Sequence, residues 1–215
     1  MVREGVVVAD IGTDHAYLPS YLILKGIVPR AIACDLRKKP LLNAQESVDR
    51  YKLSDKIELR LSDGLDEVKK GEVNDVIMAG MGGTLTADIM ARADWLKDPD
   101  IHLILQPMTH AEDVRKYLCE NGFEILKEDV CKDEGRIYIA INAAYKGIKK
   151  DYPDGYEFYG KQDPDNELSR LHILKQYKRI KKRAESLKEV GIKESEMLYC
   201  ERSYKGIEKF LGLEG

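Results

Sequence analysis

The chain has 215 residues, 43% of them hydrophobic, and 35 Lys and Arg against 38 Asp and Glu, for a formal net charge of -3. That length holds one substantial core with residues left for a smaller appendage, and the near-balanced charge carries no overall signature of a polyanion-binding protein. No apolar run approaches the roughly 20 residues of a membrane span, no signal-like stretch follows a basic start, and Cys34, Cys119, Cys131 and Cys200 form no CxxC or Cys/His cluster of metal spacing, so the expectation is a cytoplasmic protein with reduced thiols, no metal and no membrane.

In chain order, GVVVADI (5–11), AIACD (31–35), KIELRL (56–61), DVIMAG (75–80) and HLILQ (102–106) are short and almost continuously apolar, the pattern of strands buried on both faces. Between them HAYLPSYLILKG, KPLLNAQESVDRY, GLDEVKK and TLTADIMARADWL repeat apolar residues at three and four. This alternation predicts a parallel sheet covered by helices on both sides. After the helix AEDVRKYLCENG, the strands GFEILKEDVC (122–131) and RIYIAINAAY (136–145) are only four residues apart. Four residues hold no crossover helix, so these strands pair antiparallel. The fold expected is an α/β Rossmann-like sheet with an antiparallel terminal hairpin, in a first domain of residues 1–147.

Residues 148–215 are expected to form a linker and a helical coiled-coil domain. The stretch 146–166 is polar and rich in Tyr, Pro, Gly and Asp, a linker composition. Then Ile173, Tyr177, Ile180, Ala184 and Leu187 step by four and three, and Met197, Cys200, Tyr204, Ile207 and Leu211 repeat the stepping after a break at Gly191, which predicts an antiparallel coiled-coil hairpin. Charge divides along the same boundary. Residues 1–144 carry 19 basic and 25 acidic side chains, residues 145–215 carry 16 and 13, and between Asn166 and Arg183 seven Lys or Arg face the single Glu167. His172, Lys175, Lys178, Arg179, Lys181, Lys182 and Arg183 would then cover much of the first of these helices and track phosphates, the alternative being a solvated face.

In doubly wound sheets a ligand sits beyond the carboxyl ends of the strands. There the sequence places Asp10, Gly12, Thr13, Asp14 and His15 on the first strand, Asp35 and Leu36 on the second, Ser62, Asp63 and Gly64 on the third, Gly80, Met81, Gly82 and Gly83 on the fourth, and Gln106 and Pro107 on the fifth. Gly12 suits a tight strand-to-helix turn. Asp35 suits the hydroxyls of an adenosine ribose, with a helix cap as the alternative. Asp63 suits an adenine amine, with Gly64 leaving room for the ring, or else a polar turn. A dinucleotide needs a GxGxxG turn to seat its pyrophosphate, whereas Asp14 and His15 stand here where a second glycine belongs. A carboxylate repels a pyrophosphate and favours a ligand bearing an ammonium and a sulfonium, which is what S-adenosylmethionine carries.

The stretches ADIGTDHAYLP, IACDLRKKPLLNAQ, LSDGL and IMAGMGG, in that order, resemble the bacterial tRNA (adenine-22-N1)-methyltransferase family over almost the whole chain. The resemblance implies an S-adenosylmethionine-binding domain joined to a coiled coil that helps hold tRNA, and methyl transfer to N1 of an adenine. Asp14 would then be the catalytic carboxylate, with His15 as second choice. Asp10, Gly12, Thr13, Asp14, His15, Asp35, Leu36, Ser62, Asp63, Gly64, Gly80, Met81 and Gly82 would line the cofactor site. Met81, Gly83, Gln106 and Pro107 would meet the base, and Lys175, Lys178, Arg179, Lys182 and Arg183 the RNA. A monomer is expected, with a weak dimer as the alternative. The rival readings are a small-molecule methyltransferase with a dimerising coiled coil and a non-enzymatic nucleotide-binding scaffold.

Overall fold

The computed structural model describes residues 1–149, 151–191 and 193–213; positions 150, 192, 214 and 215 of the expected helical domain lie outside the described residues. Strands β1 (Val8–Ile11), β2 (Ala31–Asp35), β3 (Ile57–Leu61), β4 (Asp75–Gly82), β5 (His102–Thr109), β6 (Phe123–Asp133) and β7 (Arg136–Tyr145) form one sheet in the order β3-β2-β1-β4-β5-β7-β6. The first five are parallel, and β7 runs antiparallel to both β5 and β6. Strand order therefore reverses at β1, between β2 and β4, which is where doubly wound sheets open a ligand crevice.

The continuous apolar runs are explained by two cores, one on each face. Ala9, Val76, Met78, Leu103 and Leu105 pack on one side with Ile89 and Met90 of α3 (Gly83–Arg92) and Val114 and Leu118 of α4 (Ala111–Glu120). Their neighbours Val8, Ile77 and Ile104 pack on the other with Leu22 and Ile23 of α1 (Tyr17–Leu24) and Ala44 and Val48 of α2 (Lys38–Arg50). Each strand thus alternates apolar side chains between faces.

One expected helix does not form. GLDEVKK is a series of turns: the Ser62 hydroxyl donates to the Gly64 carbonyl at 2.9 Å and accepts from the Glu67 amide at 3.1 Å, and Arg60 donates to the Glu67 carbonyl at 2.7 Å. Seven residues are too few to repay helix nucleation, and the side chains offer the backbone other partners. Leu65 and Val68 still enter the core, which is why the spacing looked helical.

The C-terminal helices α6 (Glu167–Val190) and α7 (Glu194–Leu211) form an antiparallel hairpin, shown by contacts of Arg170 with the Leu211 carbonyl, Tyr177 with Glu208 and Arg183 with Glu196. Asn166 caps α6 by accepting from the Ser169 amide, and Gly191 ends it in the left-handed conformation. The heptad residues Ile173, Ile180, Ala184, Leu187, Cys200, Ile207 and Leu211 make its core. That core also takes Phe158 and Tyr159 from the expected linker, which contains the single turn α5 (Tyr156–Tyr159). The Tyr-rich segment is therefore a structural component of the hairpin, because its aromatic rings complete an otherwise two-helix core.

Arg115 of α4 and Glu128 of β6 anchor that segment. Their side chains are 1% and 0% exposed and bond bidentately at 3.0 and 2.7 Å, while Arg115 also donates to the carbonyls of Glu157 and Phe158 and Glu128 accepts the Lys161 amide. Gly160, in left-handed conformation, passes so close that a Cβ would meet both partners. Glu128→Ala strands the buried guanidinium, and the expected result is a loss of about 3–5 kcal/mol of stability, measured by denaturant unfolding followed by far-UV circular dichroism.

Candidate active site

The loop after β1 folds as it does because Gly12 takes a φ of 82° and the amides of Gly12 and Thr13 both donate to the Cys34 carbonyl at 2.9 Å, tying the β1 end to β2. The Gly12 amide thus serves the turn. Thr13 is buried and its hydroxyl accepts from the Ala16 amide, starting α1. Asp10 lies beneath, 7% exposed. Burial pushes its carboxyl up to about 6 against the lowering effect of a hydrogen bond with Thr13. Above it Asp14 is open to solvent, with 69% of its side chain exposed and its Oδ2 3.6 Å from His15 Nε2. The His15 ring lies parallel to Tyr17, centroids 4.9 Å apart. The first strand therefore delivers one buried and one exposed carboxylate.

At the end of β2 Asp35 is 8% exposed, and its Oδ1 accepts the Arg37 amide at 2.8 Å, so one oxygen does support the start of α2. Leu36 beside it is exposed. The Asp35 carbonyl accepts the Ser62 amide at 2.9 Å, which brings the β3 end alongside. Asp63 is exposed, and its Oδ1 accepts from Arg92 of α3 at 2.9 Å. The space next to Gly64 is not open: a Cβ there would lie 2.8 Å from Ile89, so its absence serves packing of α3.

The glycines after β4 separate into two kinds. Gly80, with a φ of 81°, has no atom near the position of a Cβ, and its amide donates to Gln106 Oε1 at 2.9 Å. Met81 is half-buried with its sulfur against Gly12 and pairs with Pro107 of β5. Gly82 caps α3 and Thr86 donates to its carbonyl. Gly83 is buried, and a Cβ would collide with the His110 carbonyl, so close approach of two loops requires it. It faces no open space for a base, contrary to the expectation, because the β5–α4 turn fills that space.

Beyond Pro107 the strand end continues into a groove of about 800 Å³, with the β5–α4 turn as floor, the start of β7 (Arg136, Ile137, Tyr138) as one wall and α6 (His172, Lys175, Gln176, Arg179) as the other. Lys175, Lys178 and Lys182 are exposed and have no ion-pair partner among the described residues. Arg179 is engaged by Glu112 at 2.7 Å and lies over the Phe158 ring; Arg183 and Lys181 face α7 through Glu196 and Glu208. His172 is not on the basic surface as expected. It is buried between Gln162 and Gln176, and burial pushes it down to about 4, so it is neutral. Sequence reasoning missed Arg136, Tyr138 and Gln176, which reach the groove only when the hairpin turn and α6 dock. Among the described residues no cluster of His, Cys, Asp or Glu fits a metal, and no helix is long and apolar enough to cross a membrane.

Comparison with known proteins agrees with this arrangement. The chain is 38% identical over 155 residues to the tRNA (adenine(22)-N(1))-methyltransferase of Bacillus subtilis, covering 68% of the chain and 65% of that protein, and it spans 58–65% of the length of the curated relatives it matches. The crystal structure of the B. subtilis M1A22 tRNA methyltransferase TrmK superposes with a TM-score of 0.86 at 27% identity over 98% of this chain and 94% of that one. Streptococcus pneumoniae Sp1610, a putative tRNA (m1A22) methyltransferase solved in complex with S-adenosyl-L-methionine, gives 0.78 at 28% identity over 98% and 94%. A methyltransferase domain model matches residues 1–141, the span that forms the sheet, its crevice and nearly all of the terminal hairpin, and the chain belongs to that methyltransferase family.

Proposed function

We propose that this chain transfers a methyl group from S-adenosylmethionine to N1 of an adenine in tRNA, at position 22, as a cytoplasmic enzyme. Residues 1–147 serve as the methyltransferase domain and residues 148–215 as the domain that grips RNA. The observation that carries the reading is the groove that begins at Pro107, whose strand partner Met81 packs against Gly12 of the strand-end crevice, and that is walled by Lys175 of α6. The relatives' names supply the nucleoside and its position.

The crevice suits the cofactor. Asp10 and Asp14 give negative charge for an ammonium and a sulfonium, Asp35 keeps Oδ2 for ribose hydroxyls, and exposed Leu36 gives an apolar surface for the adenine. Gly12, Thr13, His15, Ser62, Asp63, Gly64, Gly80, Met81 and Gly82 complete the binding set, with Asp63 already held by Arg92. S-adenosylmethionine supplies an electrophilic methyl group on sulfur. Adenine N1 attacks with its lone pair and needs no prior deprotonation, so positive charge builds on the ring. Asp14 is solvent-open at the mouth and offsets that charge or takes the proton of the exocyclic amine; His15, 3.6 Å away and stacked on Tyr17, orients it. Met81, Gln106 and Pro107 border the base, Gly83 lets the neighbouring loop approach, and Lys175, Lys178, Arg179, Lys182 and Arg183 provide the RNA-facing charge. N1 lies on the pairing edge, so a paired adenine must be extruded first.

Incubation with bulk unmodified tRNA and labelled cofactor, followed by nucleoside mass spectrometry, is expected to yield 1-methyladenosine; unlabelled tRNA refutes the reading. Cofactor affinity is expected to depend on pH through Asp10. Its folded pKa of about 6 exceeds the ordinary value of about 3.9, so the proton is held more tightly in the folded chain. The stability this group contributes is full below about pH 4 and is lost as pH rises through 6. A cationic ligand favours the carboxylate, so calorimetric affinity should rise between pH 5 and 7 by up to about tenfold in all, and Asp10→Asn should flatten the profile. Asp14→Asn is expected to lower the saturated single-turnover rate by roughly a hundredfold with an unchanged melting temperature. A wild-type rate in the folded variant removes Asp14 from catalysis.

A further inference from the structure

A chain of hydrogen-bonded side chains runs from α5 into the groove. Gln162 Nε2 donates to the Tyr159 carbonyl at 2.8 Å, which leaves its Oε1 as the acceptor 3.1 Å from His172 Nδ1. An acceptor there requires Nδ1 to carry the ring proton. Burial keeps His172 neutral, reinforced by Arg115, Lys175 and Arg179, so Nε2 presents a lone pair. Gln176 Nε2 lies 3.2 Å from it and donates. Each partner sets the next, and the Gln176 amide is held in one orientation. Its Oε1 is buried and has no hydrogen-bond partner among the described residues.

An orphan acceptor is costly to keep in a folded protein and calls for a reason. Gln176 lines the groove together with Lys175, Arg136 and Tyr138. Arg136 and Lys175 are exposed and have no ion-pair partner among the described residues, whereas Arg179 on the same wall is bound to Glu112. The site therefore offers two free cations, an aromatic side chain and one fixed acceptor. A backbone phosphodiester answers only the cations, since it carries no proton to donate at neutral pH. A nucleotide answers all of them.

We propose that this groove seats one nucleotide of the RNA other than the methyl acceptor, with its phosphate on Arg136 and Lys175, its base beside Tyr138, and the exocyclic amine of that base on Gln176 Oε1. The inference rests on the RNA-methylating reading of the strand-end crevice. The side chains covering Oε1 move aside as the base enters, and Gln176 is a specificity residue, because a base lacking the amine leaves the acceptor unpaired.

The test uses the full-length protein and tRNA transcripts in which nucleotides flanking the methylated adenine carry purine riboside in place of adenosine, or inosine in place of guanosine. At one flanking position the wild type should lose about tenfold in kcat/KM when the amine is removed, and Gln176→Leu should show the same kcat/KM with and without it. Arg136→Ala should weaken binding of every transcript and reduce the slope of log affinity against log salt by about 1. A wild type indifferent to every amine overturns the proposal. So does a Gln176→Leu protein that loses the same factor on all transcripts with a lowered melting temperature, which marks a structural role. If the wild type methylates no tRNA, the broader reading fails and the proposal with it, an outcome distinct from either of these.

Discussion

A guanidinium and a carboxylate, Arg115 and Glu128, lie out of water where the methyltransferase sheet meets the C-terminal segment. Desolvating such a pair is expensive, and it is tolerable only when the geometry is good and the remaining donors and acceptors are used. Here they are. The pair is bidentate, the free Arg115 nitrogen reaches two carbonyls of α5, and Glu128 also takes the Lys161 amide. Because the last of these partners come from the segment after the sheet, the pair can be satisfied only when that segment is docked. Its satisfaction thereby fixes where α6 begins, and with it the wall of the groove next to the β5 end.

Charge is then divided in space as it is along the chain. The strand ends carry Asp10, Asp14, Asp35 and Asp63, and α6 carries exposed Lys175, Lys178 and Lys182, of which Lys175 lines the groove at the β5 end. On the proposed reading a cationic cofactor and a polyanionic RNA approach the same adenine from these two sides. The arrangement also limits misuse of charge. Asp63 is occupied by Arg92, Arg179 by Glu112 and Arg183 by Glu196, whereas Lys175 on the groove wall has no ion-pair partner among the described residues.

The parallel strands and their reversal at residues 122–145 were legible because double-faced burial demands unbroken apolar runs and a four-residue connection forbids a crossover. The hairpin core was legible for a similar reason, since heptad spacing survives any environment. GLDEVKK misled because turns that bury Leu65 and Val68 mimic helical spacing over so short a span. His172 misled because charge along a helix does not say which face is covered: its neighbours Lys175 and Arg179 reach the groove, while its own ring is enclosed by Gln162 and Gln176.

By itself the sequence determined the local rules: which of the longer segments are strands and helices, where the sheet reverses, and that carboxylates and glycines gather at strand ends. These follow from periodicity and backbone preference, which act over a few residues. Tertiary structure alone decided what each of those groups does. Gly80 opens space whereas Gly83 closes it against His110, Asp10 is buried and Asp14 exposed, and Gln176 is left with an acceptor that no described residue satisfies. The physical reason is that burial and hydrogen-bond partnership are set by neighbours tens of residues away, such as α5, α6 and the β6–β7 turn, whose positions no local pattern encodes.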